Sequence, residues 1–148
     1  MLEMRTLKEA EIPEAMKLVW EVFLEFEAPE YSRQGIEEFR SFLSPQQIGK
    51  AVGHGEIVLC AAFWEKAMAG VMAVRNKKHL CLLFVKREFQ RRGIGRELLS
   101  WAKGESGGCL TVHASPYGIP FYLATGFTAD GPEREENGIR YTPMTWKG

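Results

Sequence analysis

The segment from residue 79 to residue 115 leaves this chain few architectures. HLCLLFV at 79–85 is apolar on both faces, so as a strand it must be covered on both sides, at the centre of a sheet. KREFQRRGIGRELLSWAK follows at 86–103, passing through a glycine loop into a helix whose apolar stripe is Ile94, Leu98, Leu99 and Ala102. Gly104, Gly107 and Gly108 end that helix, and CLTVHAS at 109–115 resumes as a strand. A strand, helix and strand of these lengths imply a right-handed crossover, which makes 79–85 and 109–115 parallel neighbours.

The flanking sequence supplies the rest of one layered fold. IVLCAAFW (57–64) and AGVMAV (69–74) precede the central run, separated by Glu65-Lys66 and RNKK, and read as an antiparallel meander. LEMRT at 2–6 alternates as a short strand. Ala15, Met16, Val19, Trp20, Phe23 and Phe26 recur at helical spacing and predict a helix over 13–27, with Glu21, Glu25 and Glu27 off its stripe and Pro29 as its stop. A second helix begins at Ser32, carries Ile36, Phe39, Phe42 and Leu43, and stops at Ser44-Pro45. Gly49, Gly53 and Gly55 read as a flexible link. Near the end come a short helix over 117–125 and strands at 127–130 and 139–145, with Asn137-Gly138 as a hairpin turn. The fold class expected is α+β: one domain over residues 1–148, a single mixed and mostly antiparallel sheet with helices on both faces.

Charge narrows the partners. Nineteen Lys and Arg balance nineteen Asp and Glu, which argues against a general nucleic-acid or anionic-membrane binder, since both need net basic surface. The balance is uneven along the chain. Residues 1–38 hold ten Glu against four basic residues, and residues 75–96 hold eight basic residues against Glu88 alone, a block suited to a phosphate-bearing partner. Cys60, Cys81 and Cys109 are odd in number, widely spaced and set among apolar residues, the pattern of buried free thiols in a reducing compartment. Without an apolar run of roughly 20 residues or a signal-peptide core, the chain is expected to be cytoplasmic. No metal is expected, because no CxxC, HxxxH or HExxH spacing occurs.

Gln90-Arg91-Arg92-Gly93-Ile94-Gly95 lies between a buried strand and a helix N-terminus. Glycines admit a ligand close to the backbone, and the free N–H groups of a first helical turn bind anions. Arg91, Arg92 and Arg96 add charge, so the loop favours a pyrophosphate. It is not a Walker loop, for no Gly-Lys-Ser/Thr follows. Nor is it a dinucleotide fingerprint, since the third glycine is absent and the preceding strands form a meander.

The loop resembles the Q/R-x-x-G-x-G/A signature of the GCN5-related N-acetyltransferases (GNAT), and Leu83-Phe84-Val85 resembles the end of that family's fourth strand. Ser115-Pro116-Tyr117-Gly118-Ile119-Pro120-Phe121-Tyr122-Leu123-Ala124-Thr125-Gly126-Phe127 resembles the second signature, an F-Y-x-x-x-G-F helix after the fifth strand. The resemblance spans nearly the whole chain. It implies a fold whose parallel fourth and fifth strands splay apart, acetyl-CoA as co-substrate, and transfer of the acetyl group by direct attack of an amine. Backbone groups of Phe84, Val85 and Lys86 are then expected to bind the acyl and pantetheine parts. Gln90, Arg91, Arg92, Gly93, Ile94, Gly95 and Arg96 would bind the pyrophosphate, and Ser115 and Tyr117 the coenzyme arm.

The resemblance also assigns chemistry. Tyr122 is the expected general acid: a phenol of pKa ~10 can donate to a thiolate whose conjugate acid has pKa ~8.5. His79, eleven residues before Gln90, is the expected base, at an offset where some members carry a carboxylate. His113 is a second candidate near the substrate, and Glu21, Glu25 and Glu27 either attract a cationic amine or form a solvated helix face. The expected acceptor is a small-molecule amine. A protein amine and a non-catalytic acyl-CoA sensor are the alternatives, and a homodimer fits the family's habits.

Overall fold

A computed structural model describes residues 1–148. Strand β1 (Leu2–Thr6) leads to α1 (Ile12–Phe26), α2 (Arg33–Phe42) and α3 (Pro45–Gly53), and then to the meander β2 (Ile57–Trp64), β3 (Ala67–Arg75) and β4 (His79–Val85). Helix α4 (Ile94–Glu105) crosses to β5 (Cys109–Ala114), followed by α5 (Ile119–Ala124), β6 (Thr128–Ala129), β7 (Arg134–Glu136) and β8 (Ile139–Lys147). The eight strands form one sheet in the order β1-β2-β3-β4-β5-β8-β6, with β7 also paired to β8. Only β4 and β5 run parallel, as the crossover requires. No helix is long and apolar enough to cross a membrane.

The sheet has a core on each face. Val19 and Phe23 of α1 pack on Leu59, Val71, Leu82 and Phe84 on one side. Ile94, Leu98, Leu99 and Ala102 of α4 pack on Cys60, Met72, Leu80 and Val112 on the other. Leu80 and Leu82 face opposite ways although they are two residues apart, because the β3–β4 register jumps from Val74↔Leu80 to Ala73↔Leu82. This bulge at Cys81 reverses the inward face of β4 halfway along, so a continuous apolar run was needed where strict alternation would have failed.

Two expectations change. Residues 45–53 are a helix instead of a flexible link: Pro45 opens it, and Ile48, Ala51 and Val52 bury against the α1 side of the sheet. Tertiary packing here outweighs the propensity cost of Gly49. The three cysteines are free, but only Cys60 is buried, while Cys81 and Cys109 are partly exposed. The hairpin signal at Asn137-Gly138 holds, with φ of 53° and 81° joining β7 to β8.

The tip of that hairpin fixes α2. Ser32 caps the helix by accepting a hydrogen bond from Gly35 N–H at 3.2 Å, and a Cβ placed on Gly35 would lie 2.1 Å from the Gly138 carbonyl oxygen. Only glycine permits this approach. Gly35→Ala is therefore expected to lower unfolding stability by about 1–3 kcal/mol through overpacking, read as a fall in the denaturant midpoint at unchanged slope.

Candidate active site

Strands β4 and β5 are paired only at His79↔Thr111 and Leu80↔Val112. Beyond these pairs they diverge, and a cavity of about 790 Å³ runs through the gap from the α1–α2 side to the glycine loop. That is the size of a small-molecule site. Its walls are Leu82 to Val85 of β4, Val112 and His113 of β5, the Ser115–Gly118 turn with Phe121 and Tyr122, Phe26 at the end of α1, and Glu27 and Tyr31 beyond it.

At the loop end, Arg91 and Gly93 both have positive φ, 66° and 79°, which curls the backbone into a concave set of N–H donors. None of Arg91, Arg92 and Gly93 donates to a backbone carbonyl, and the first bond of α4 runs from Glu97 N–H to Gly93 O at 3.0 Å, leaving the N–H groups of the first turn free. Gln90 Nε2 donates to Val85 O at 3.0 Å and ties the loop to the end of β4. Gln90, Arg91, Gly93, Ile94, Gly95 and Arg96 line the cavity. Arg92 does not: its guanidinium lies 5.0 Å from the Trp64 ring centroid.

The end of β4 is more selective than expected. Lys86 N–H is committed to Ala69 O at 2.8 Å, on β3. Because strand groups alternate, Phe84 also points its backbone toward β3, while Leu83 and Val85 turn theirs to the gap. Of the expected trio, Val85 thus offers its N–H to the cavity, joined by Leu83.

Beyond β5, Ser115 Oγ accepts from Gly118 N–H at 3.1 Å and holds the turn into α5. Tyr122 is buried, its ring edge-on to Phe121 at 5.3 Å and to Phe127 at 5.2 Å. Burial, and then the Glu27 carboxylate, push its phenol well above the ordinary range. Tyr117 is half exposed and stacks on Phe26 at 5.2 Å, so Phe26 is cavity wall as much as core.

The histidines sit at the closed end of the split. His79 Nδ1 bonds Thr111 Oγ1 at 2.8 Å, its ring lies edge-on to His113 at 4.7 Å, and His113 stacks on Tyr141 at 4.2 Å. Burial, with His113 and Arg75, lowers His79 to about 4, too weak a base to compete for a proton near neutrality. Glu21 and Glu25 are on the outer surface of α1, away from the cavity, where Glu25 accepts from Arg87 Nη1 at 2.8 Å.

Glu27 behaves differently from those two. It lines the cavity and is partly accessible through it, yet burial lifts its carboxyl to about 7, the Ser115 hydroxyl only partly offsetting the rise.

Residues 27–147 match the family model described as an acetyltransferase (GNAT) domain. The chain belongs to the GNAT family. Solved structures agree in fold. A GCN5-related N-acetyltransferase from Rhodopseudomonas palustris superposes with a TM-score of 0.81 at 20% identity, covering 99% of this chain and 95% of that one. PaiA N-acetyltransferase from Thermoplasma acidophilum, solved with coenzyme A, gives 0.79 at 20% identity over 100% and 99%. Spermidine N-acetyltransferase from Vibrio cholerae, solved with CoA and spermine, gives 0.69 at 16% identity over 99% and 95%. No curated protein matches the sequence.

Within this GNAT domain, Tyr31 and the free backbone of Leu83 are wall features that helix and strand patterns left unassigned, and Glu27, grouped from sequence with Glu21 and Glu25 off the apolar stripe of α1, lines the cavity while those two do not. Glu27 did leave a signal: it stands four residues after Phe23 and eight after Val19, both fully buried, and so continues their line on the helix. A carboxyl raised from its ordinary 4.5 to about 7 binds its proton more tightly in the folded GNAT domain than in the unfolded chain. Stability must then fall as pH rises from about 4.5 to about 7, with the full penalty above that window. Glu27→Gln is expected to match the parent in thermal stability below this window and to exceed it by about 1–3 kcal/mol above it, measured by melting across pH.

Proposed function

We propose that the protein transfers an acetyl group from acetyl-CoA to the nitrogen of a small-molecule amine. The observation that carries this reading is the single continuous cavity, with a nest of free N–H groups at one end and a buried tyrosine where the strands part. CoA-bound relatives of the same fold support the choice of co-substrate. The loop from Gln90 to Arg96 would take the pyrophosphate on its backbone donors, with Arg91 and Arg96 adding charge. Val85 N–H and the Leu83 backbone would hold the acyl end and the pantetheine arm along the open edge of β4, and Ser115 and Tyr117 would flank that arm.

In the reaction the amine nitrogen attacks the thioester carbon, the C–N bond forms, the C–S bond breaks and its electron pair goes to sulfur. Tyr122 supplies the proton that sulfur needs. Its raised pKa keeps it a phenol at every working pH, as an acid must be. His79 and His113, neutral in the working range, would form the polar floor on the acceptor side.

A thiol-release assay with acetyl-CoA and a panel of amines, including polyamines and a peptide amine, tests the reading. Release with at least one small amine is expected. Tyr122→Phe should lower kcat by about 10²-fold or more while calorimetry shows coenzyme binding intact, and a parental rate would remove Tyr122 as the acid. Coenzyme binding without release from any acceptor would identify a non-catalytic acyl-CoA sensor instead. Replacing Arg91 and Arg96 together by alanine is expected to raise KM for acetyl-CoA about tenfold, with kcat little changed and a weaker dependence on salt, measured by initial rates at two ionic strengths.

A further inference from the structure

Glu27 is a carboxylate that no cation answers. The groups facing it from three elements are hydroxyls: Ser115 after β5, Tyr122 of α5 and Tyr31 beyond α1. The cation that acts on this cluster, Arg140, reaches Tyr31 and is itself held by Glu133 at 3.0 Å and Glu30 at 3.3 Å. An ion enclosed without a partner is costly, and a fold keeps one where something else supplies the opposite charge. The other carboxylate along the cavity, Glu38, is exposed and accepts a hydrogen bond from Asn137 Nδ2 at 3.1 Å.

We propose that Glu27 is the general base: it receives the ammonium of the acceptor inside the cavity and takes one of its protons, so that a neutral amine attacks the thioester. The assignment rests on the acetyl-transfer reading above. Two protons leave the ammonium in the full reaction. Glu27 holds the first. The second leaves nitrogen as the tetrahedral adduct collapses and is passed through the Tyr122 hydroxyl to the departing sulfur, and Glu27 returns its own to water once the amide has gone. Atoms and charge balance as ammonium and thioester giving amide, thiol and one released proton. Placement supports this division, since Glu27 lines the cavity with Ser115, near enough to Tyr122 to act on it, whereas His79 lies where β4 and β5 are still paired. Burial also raises the carboxyl to about 7, so that near neutral pH a large share is ionised and that share is basic enough to hold a proton briefly.

The test is a pH profile of kcat/KM for an active amine, with acetyl-CoA saturating. The parent protein should rise through an inflection near 7 that Glu27 produces. Glu27→Gln should lose that inflection and fall in kcat by about 10²-fold or more while binding coenzyme A normally by calorimetry, and Glu27→Asp should recover part of the rate. A Glu27→Gln protein that keeps kcat and the inflection overturns the assignment. So does one in which only KM for the amine rises, which would make Glu27 a binding carboxylate. If the variant does not fold, a parental profile flat from about pH 6 to about pH 8 overturns it as well. A parent that binds coenzyme A but acetylates no amine gives a different pattern: there the acetyl-transfer reading fails first.

Discussion

Two residue pairs hold β4 to β5, and the rest of the molecule is arranged around what happens after the second. Backbone N–H and C=O groups in a protein interior must be paired. A sheet that opens in its middle breaks that rule along two edges at once. Here the opening is walled by side chains from α1, the loop before α4 and the turn into α5, so the unpaired edge of β4 meets a cavity of defined shape instead of bulk water. Meanwhile the other edge of β4 stays locked to β3, down to the Lys86 N–H on Ala69. The strand can therefore present free groups on one side without losing its place in the sheet.

The chemistry at the opening is electrostatically lopsided. The glycine loop concentrates donors and positive charge, and α1 delivers a single carboxylate into a ring of hydroxyls. Burial raises the pKa of both Glu27 and Tyr122, and the Glu27 carboxylate raises Tyr122 further, because a nearby negative charge disfavours the phenolate. Each is thereby held closer to neutral than it would be in water, the tyrosine as a standing donor and the carboxyl within reach of titration.

Much of this was legible from sequence because it rests on local signals. The doubly apolar strand, the glycine loop, the α4 stripe and the Asn137-Gly138 turn each carry their own physics, and the parallel pair followed from crossover geometry. What escaped depends on three-dimensional context. Glycine spacing suggested a link at 45–53, but Ile48, Ala51 and Val52 had a surface to bury against. Glu25 and Glu27 are two residues apart with the same chemistry, yet one bonds Arg87 on the surface and the other turns inward at the end of α1. His79 has a suitable imidazole in an unsuitable dielectric, a property that spacing along the chain does not encode. The direction of the Lys86 N–H depends on strand pairing, which a family signature does not show.

The contact between Gly35 and Gly138 ties α2 to the tip of the β7–β8 hairpin, and β8 is also the partner of β5. Helix and strand on opposite sides of the cavity therefore belong to one clamp closed outside it. The cavity cannot widen by swinging α2 alone, because that motion would pull on the strand that carries His113 and leads to Ser115. Its breadth is tied to the fit of two glycines at a surface turn, so the shape of the cavity is open to evolutionary adjustment from a place outside it.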